Sequence, residues 1–341
     1  MMDAGKIARA LDRAGEVRVA VFGDYCLDKY LYMDPSRDEL SVETGLMAWQ
    51  IHEKRMFPGA GGTVTSNLRS LGVQVTCIGL MGDDGEGYDL RKALEKIGAD
   101  SSLMVVSDEI CTGTYTKPMR LQEDGSWKES NRLDFRNFQE PPRKLQDQLL
   151  ANLESCLDKV DGVILLDQFF QRNLGVITDY VRERLAELAV KYPEVIFFAD
   201  SRSYIRQFRN VIVKCNNFEL MAGQGDPEDP QALKARAEEL EAAAGKPVFV
   251  TRGSDGMLAL TKGQVIPVPA FRVTGPIDIC GAGDASSAGI VLGLSLGLQP
   301  EEAALLGCAV SSITIQQVGV TGTATVPQVQ QRLTWYKGET K

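Results

Sequence analysis

Short apolar runs, several of them closed by a polar residue, recur along the chain. Arg18-Val19-Ala20-Val21-Phe22-Gly23-Asp24 is the first. Val73 to Leu80, Gly162 to Asp167, Val195 to Asp200, Val211 to Asn216 and Pro247 to Thr251 follow. Runs of this length and makeup predict buried strands. Between them, Leu174 to Lys191 and Pro230 to Ala244 carry the amphipathic spacing of helices. Strands alternating with helices predict an α/β architecture, a mostly parallel sheet covered on both faces, whose ligands bind beyond the C-terminal strand ends. The polar residues that close the runs therefore mark where chemistry is expected. Two stretches break the alternation. Leu31 to Met56 and Cys111 to Asn131 are patterned as strands, the second turning at Glu123-Asp124-Gly125-Ser126. They predict either a small sheet projecting from the main one or surface hairpins.

Composition narrows the function classes. A chain of 341 residues can bury a sizeable core as one large domain. The net charge of -9 argues against nucleic acid or an anionic membrane as the main partner. No run reaches the roughly 18 apolar residues needed to span a bilayer. The start, Met1-Met2-Asp3-Ala4-Gly5-Lys6, lacks a secretory core. The 7 cysteines are odd in number and have no C-x-x-C spacing, which predicts reduced thiols in a cytoplasmic protein. His52 is the single histidine, so acid–base work falls to carboxylates, Cys, Lys or Tyr.

Near the C-terminus, Asp278-Ile279-Cys280-Gly281-Ala282-Gly283-Asp284 leads into Ala285-Ser286-Ser287-Ala288-Gly289-Ile290, a loop of tiny residues opening a helix. Glycines let backbone N–H groups approach an anion closely, and the helix N-terminus adds a favourable dipole. Asp284 in the first turn is either a capping acid or the acid that takes a proton from an attacking hydroxyl. The spacing Asp-x-x-Gly-Ala-Gly-Asp resembles the C-terminal motif of the ribokinase family of ATP-dependent sugar kinases. Other stretches match that family in its order.

Gly23-Asp24-Tyr25-Cys26-Leu27-Asp28 resembles the first-strand motif that binds sugar hydroxyls, which implies Asp24 and Asp28 at the sugar; on their own the two acids would equally cap loops. Pro58-Gly59-Ala60-Gly61-Gly62-Thr63 resembles the glycine-rich lid hinge and implies Gly59, Gly61 and Gly62 beside the substrate. Ala60 and Thr63 depart there from the usual Gly and Asn. Asn216-Asn217-Phe218-Glu219 resembles the Asn-x-x-Glu motif, in which Asn216 and Glu219 organise water around nucleotide-bound Mg²⁺. Thr251-Arg252-Gly253-Ser254-Asp255-Gly256 matches the turn along the ATP phosphates, giving roles to Thr251, Gly253 and Gly256. Gly319 to Pro327 resembles the closing loop near the adenine and implies Gly322 and Thr323. Its Gly-Thr-Ala-Thr-Val form is most like the heptose-phosphate kinase branch, as are Ser36-Arg37, Ser41-x-Glu43, Thr116-Lys117 and Arg132-Leu133-Asp134-Phe135. Lys117, Arg120 and Arg132 either hold a sugar phosphate or are ordinary lid charges.

The resemblance implies one ribokinase-like domain over 1–341, a three-layer fold with lid segments near 31–56 and 111–131 and a homodimer formed through the lid. It implies transfer of the ATP γ-phosphoryl group to a sugar hydroxyl. Asp284 would be the base, the amides of Gly281, Ala282 and Gly283 would stabilise charge, and an unshifted Asp284 would be ionised at neutral pH. Mg²⁺ is the implied metal, with K⁺ at Asp278, although Ile279 replaces the usual Thr. Bifunctional members of the branch carry a nucleotidyltransferase domain; with this chain stopping at Lys341, that activity is not expected. The first acceptor is a heptose 7-phosphate, with unphosphorylated sugars and nucleosides as alternatives. A non-catalytic sugar-binding regulator is a second class. A Rossmann dehydrogenase is a third, but its glycine fingerprint should follow the first strand, where Gly23 stands alone.

Overall fold

A computed structural model describes residues 2–336; Met1 and 337–341, which the single-domain expectation includes, lie outside the described residues. Strand β1 (Arg18–Gly23) is buried from Val19 onward. Val19 and Val21 join one hydrophobic layer and Ala20 and Phe22 the other, so each face of the strand meets its own core. Only Asp24 separates β1 from β2 (Tyr25–Met33), which leaves the main sheet. β3 (Ile51–Ala60) pairs with β2 antiparallel and feeds helix α1 (Gly61–Ser70). β4 (Gln74–Ile78) returns beside β1. β5 (Thr114–Leu121), β6 (Trp127–Glu129) and β7 (Leu133–Phe135) complete a second sheet with β2 and β3.

β8 (Gly162–Asp167), β9 (Ile196–Ser201), β10 (Ile212–Asn216) and β11 (Val248–Thr251) extend the main sheet in parallel. β12 (Met257–Thr261) and β13 (Gln264–Val268) close it as an antiparallel pair. The order of the 8-stranded sheet is β13-β12-β11-β10-β9-β8-β1-β4. One core layer includes the apolar faces of α1 and two later helices, α6 (Ala282–Ser295) and α7 (Pro300–Thr314); the other takes those of α2 (Arg143–Glu154), α3 (Asp179–Lys191) and α5 (Pro230–Ala244). The short α4 (Asn217–Met221) follows β10 directly. Among the described residues no helix is long and apolar enough to cross a membrane. All 7 cysteines are unpaired, and of these only Cys280 is exposed.

The expected three-layer α/β fold is present, with local differences. The second sheet is broader than the lid segments read from the sequence, since β2 starts at Tyr25, β3 ends at Ala60 and β7 reaches Phe135. Helix α3 starts at Asp179 rather than Leu174. Thr178 caps it by accepting the Val181 N–H, while residues before it are drawn to Asp24 instead. The β12–β13 pair was not among the apolar runs.

At the end of β3, Ala60 has φ 51° and ψ -113°, a conformation natural to glycine and strained for any residue with a Cβ. Replacing it by glycine relieves about 1–3 kcal/mol of strain, against about 0.4–1 kcal/mol of added chain entropy in the unfolded state. Ala60→Gly should therefore stabilise the fold by about 1 kcal/mol. Urea unfolding reads this directly, and a lower midpoint with an unchanged slope would show that Ala60 is not strained.

Candidate active site

The glycine loop begins where Asp278 ties it to the following turn. Its Oδ1 accepts the Cys280 N–H at 3.0 Å and its Oδ2 accepts the Gly319 N–H at 3.1 Å. Gly281 then takes φ +77°, and a Cβ there would lie 2.8 Å from Thr321 Cγ2 and 3.3 Å from Thr63 Cγ2. Of the three amides expected to face an anion, that of Ala282 is already bonded to Ile279 O at 3.1 Å. This corrects the expectation: the N–H groups of Gly281, Gly283 and Asp284 are the ones from Gly281 to Asp284 that have no protein partner among the described residues.

Asp284 is half-buried at the start of α6, and its desolvation pushes its pKa up to about 7, with the Asp200 charge adding to the rise. Lys214 and Arg202 oppose that shift, and the Asp28 charge also reaches it. An Asp ionised almost completely at neutral pH, as the unshifted reading supposed, is therefore not what the site contains.

Lys214 projects from β10 and Asp200 from β9, where the two are register partners on adjacent parallel strands. Their charged groups meet at 2.6 Å, both buried. Ser287 Oγ donates to the same Asp200 oxygen at 2.8 Å and to Gly283 O at 3.1 Å. Burial acts to lower the Lys214 pKa, but the Asp200 carboxylate outweighs it and the net shift is upward. The missing side chain of Gly283 leaves the room this ammonium needs, since a Cβ there would stand 3.2 Å from Nζ. The sequence offered two signals for the pair: a polar strand end at Asp200 and a lysine inside an apolar run.

Asp284, Gly281, Gly283, Lys214, Asp200, Arg202, Gln168, Asn216, Glu219 and Thr251 line one cavity of about 440 Å³. Asn216 and Glu219 cap α4 reciprocally: the Asn216 side chain accepts the Glu219 N–H at 2.8 Å, and Glu219 Oε2 accepts the Asn216 N–H at 2.7 Å. Burial raises the Glu219 pKa. Its Oε1 has no protein partner among the described residues, and no cluster of three acidic, Cys or His side chains forms an all-protein metal site among them. Such a donor set suits Mg²⁺ held mostly by phosphate oxygens and water.

On the lid side, Asp28 and Lys117 form an ion pair at 2.9 Å, and Lys117 also donates to the Tyr30 hydroxyl at 3.0 Å. Gly59 lies against this carboxylate, so close that a Cβ would come within 2.5 Å of Oδ2. Asp24 differs from its neighbour. It is buried, and its two oxygens accept the N–H groups of Val176 at 2.7 Å and Gln168 at 2.8 Å. It fixes the loop after β8 rather than presenting a free carboxylate to a sugar. Gly61 and Gly62 likewise serve close packing, against Asp24 O and Pro58. Lys117 is neutralised by Asp28, Arg120 by Asp38 at 2.6 Å, and Arg132 by Asp134 at 2.7 Å.

The remaining nucleotide-side candidates divide similarly. Thr251 faces the cavity. Gly253, at φ +57°, shapes the turn, and Gly256 is needed because a Cβ would meet Val268 O at 2.1 Å. Gly322 sits against Thr314 O, and Thr323 is clasped by the Gln317 amide.

The fold is that of solved sugar-kinase structures. The Arabidopsis thaliana ribokinase complexed with ribose and ATP matches with a TM-score of 0.67 at 18% identity, covering 93% of this chain and 98% of that one. The Escherichia coli phosphofructokinase-2 in complex with potassium matches at 0.69 and 19%, covering 94% and 98%. Residues 19–327 match the pfkB family of carbohydrate kinases, and the chain belongs to that family. Members are phosphotransferases acting on a sugar hydroxyl. A relative from Trichlorobacter lovleyi, bifunctional protein HldE, is 25% identical over 332 residues, covering 96% of this chain and 65% of its own. The HldE of Hyphomonas neptunium is 28% identical over 327 residues, covering 95% and 64%. The chain thus spans just under two thirds of the length of these curated relatives.

A carboxylate whose pKa is higher when folded than its ordinary 3.8 binds its proton more tightly in the native state. Its stabilising contribution is full at low pH and is lost as pH rises from about 4 to about 7. Asp284→Asn removes that loss. The variant should gain stability relative to the wild type between about pH 5 and about pH 8, measured by urea midpoints. A pH-independent difference would show that the carboxyl is not held protonated by its burial.

Proposed function

We propose that this chain transfers the γ-phosphoryl group of ATP to a hydroxyl of a sugar phosphate, with a heptose 7-phosphate as first acceptor. The observation carrying this reading is the meeting of Asp284, raised to about 7, with the unbonded amides of Gly281 and Gly283 in a cavity shared with Lys214 and Glu219. The heptose-branch motifs and the likeness to relatives named HldE support the acceptor.

In this mechanism the acceptor's hydroxyls donate to Asp28, which Lys117 holds in place through their ion pair. The attacking hydroxyl gives its proton to an Asp284 oxygen as its own oxygen bonds to the γ-phosphorus. The bond from that phosphorus to the β–γ bridging oxygen breaks, and ADP leaves. A base with a pKa near neutrality combines enough ionised form with enough proton affinity for the task. The free amides and the Lys214 ammonium stabilise negative charge around the transferring group. Mg²⁺ would neutralise nucleotide phosphate charge, with Glu219 holding one of its waters. K⁺ at Asp278 would have to share the carboxylate with the Cys280 and Gly319 amides.

A coupled ADP-release screen across sugars and sugar phosphates, with and without K⁺, tests the reaction. Asp284→Asn should lower turnover about 10²-fold or more while ATP affinity stays within a few-fold. Wild-type kcat/KM should fall as pH drops below about 7. Asp28→Ala should raise the sugar KM far more than the ATP KM. Full turnover by Asp284→Asn would remove the acid from the mechanism.

The same reading extends to assembly. Leu40, Val42, Leu46, Met47, Trp49 and Ile51 are exposed along the lid ribbon, an apolar face that a thin sheet cannot cover by itself. A second copy, related by a two-fold axis, would cover it. Ile51→Glu should weaken dimerisation and raise the sugar KM together. Sedimentation of the wild type as a monomer at micromolar concentration would defeat the dimer and leave the kinase standing.

A further inference from the structure

Strand register decides which side chains face the acceptor. Asp28 pairs with Tyr115, and Tyr115 with Asp134, so these three project from the same face of the lid. Arg132 and Arg136 flank Asp134 at two-residue spacing and belong to that face. Arg132 is taken: both of its bonds go to Asp134, and its guanidinium lies 4.6 Å from the centre of the Tyr115 ring. Arg136 is not taken. Among the described residues no carboxylate lies within ion-pair distance of it, and the same holds for Arg202 beyond the end of β9. Every other lid cation named so far has a carboxylate partner.

Two uncharged groups of one loop hold each of these arginines. Arg136 donates to Gln171 Oε1 at 2.7 Å and lies 5.7 Å from the Phe169 ring centre. Arg202 donates to Gln168 Oε1 at 2.8 Å and lies 5.7 Å from the Phe170 ring centre. Amide and aromatic contacts fix a guanidinium in direction without neutralising it. The Arg136 Nε is buried and has no acceptor at all. Leaving such a donor unsatisfied is costly unless something absent from the protein accepts from it. Both arginines act electrostatically on Tyr115, and Arg202 reaches Asp284 as well. Arg202 thus lines the cavity that holds Asp284, and Arg136 stands on the lid face that carries Asp28 and Tyr115.

The geometry points to Arg136 and Arg202 as the subsite for a phosphate ester carried by the acceptor. This deepens the sugar-phosphate reading above and rests on it. A planar guanidinium meets two phosphate oxygens at once, which a lysine cannot do. Lys117, Arg120 and Arg132, the cations that the sequence offers for this task, are engaged elsewhere. Arg136 sits next to Phe135 and the family-like Arg132-Leu133-Asp134-Phe135 stretch, so a motif search stops one residue short of it.

Calorimetric binding in the presence of a non-hydrolysable ATP analogue tests the assignment without requiring turnover. The probes are glucose 6-phosphate and sedoheptulose 7-phosphate, each beside its free sugar, with inorganic phosphate as a control. The wild type should bind at least one phosphorylated probe about 10-fold or more tighter than its free sugar. Arg136→Gln should bring that pair within about 3-fold and leave affinity for the nucleotide analogue unchanged. Arg136→Lys, which keeps the charge and loses the fork, should fall between the two. Equal binding of free and phosphorylated sugars by the wild type, binding of neither, or a loss confined to the nucleotide would overturn the subsite. Failure to release ADP with any acceptor would instead defeat the kinase reading, whatever the binding result.

Discussion

Removing an ammonium and a carboxylate from water costs several kcal/mol per ion, and their attraction offsets this only when geometry is good and the remaining donors find partners. Lys214 and Asp200 meet both conditions. Neighbouring parallel strands set them side by side, Ser287 adds a hydrogen bond, and Gly283 O lies 3.4 Å from the ammonium. The pair joins the ends of two central strands to the start of α6, so the glycine loop is positioned by the sheet. Burial is the first cause of the raised Asp284 pKa, and the same contact then adjusts it. Asp200 pushes its pKa up and Lys214 pulls it down, so neither partner could be changed without altering the acid beside it.

A second constraint acts at the root of the lid. Asp24 is the single residue between β1 and β2, and all of its polar groups are engaged. Its N–H donates to Leu166 O, its carbonyl accepts from Gly61, and its carboxylate holds Gln168 and Val176. Burial raises its pKa to about 6. The loop it holds carries Gln168, Phe169, Phe170 and Gln171, and so one buried acid aligns the hinge, the lid strand and the aromatic loop together.

Much of this was legible in the sequence because it depends on local pattern. A strand buried on both faces must be apolar throughout, which made β1, β8, β9 and β10 readable. The glycine loop was readable because small residues at fixed spacing run directly into an apolar helix. The less legible features depend on contacts between distant segments. Asp24 and Asp28 look equivalent in one motif, and only the fold reveals that one is enclosed by a loop more than 140 residues away. The Ala282 amide is lost to Ile279 through the curl of the loop, which spacing does not specify. Arg136 carries no motif, and its significance lies in the absence of a carboxylate that register alone would have allowed. The β12–β13 pair was hidden by the interrupted apolar pattern of Gln264-Val265-Ile266-Pro267-Val268.

The one-residue junction at Asp24 also makes β2 a lever with its fulcrum inside the main domain. At about 3.3 Å per residue, Asp28 stands about 13 Å along that arm and Met33 about 30 Å. Any tilt about the junction is thus magnified more than two-fold between Asp28 and the far edge of the lid. A sideways movement of the outer ribbon too large to miss would change the position of Asp28 by less than half as much. Such gearing lets the outer apolar face and the inner acid be coupled mechanically while the inner one keeps the finer tolerance.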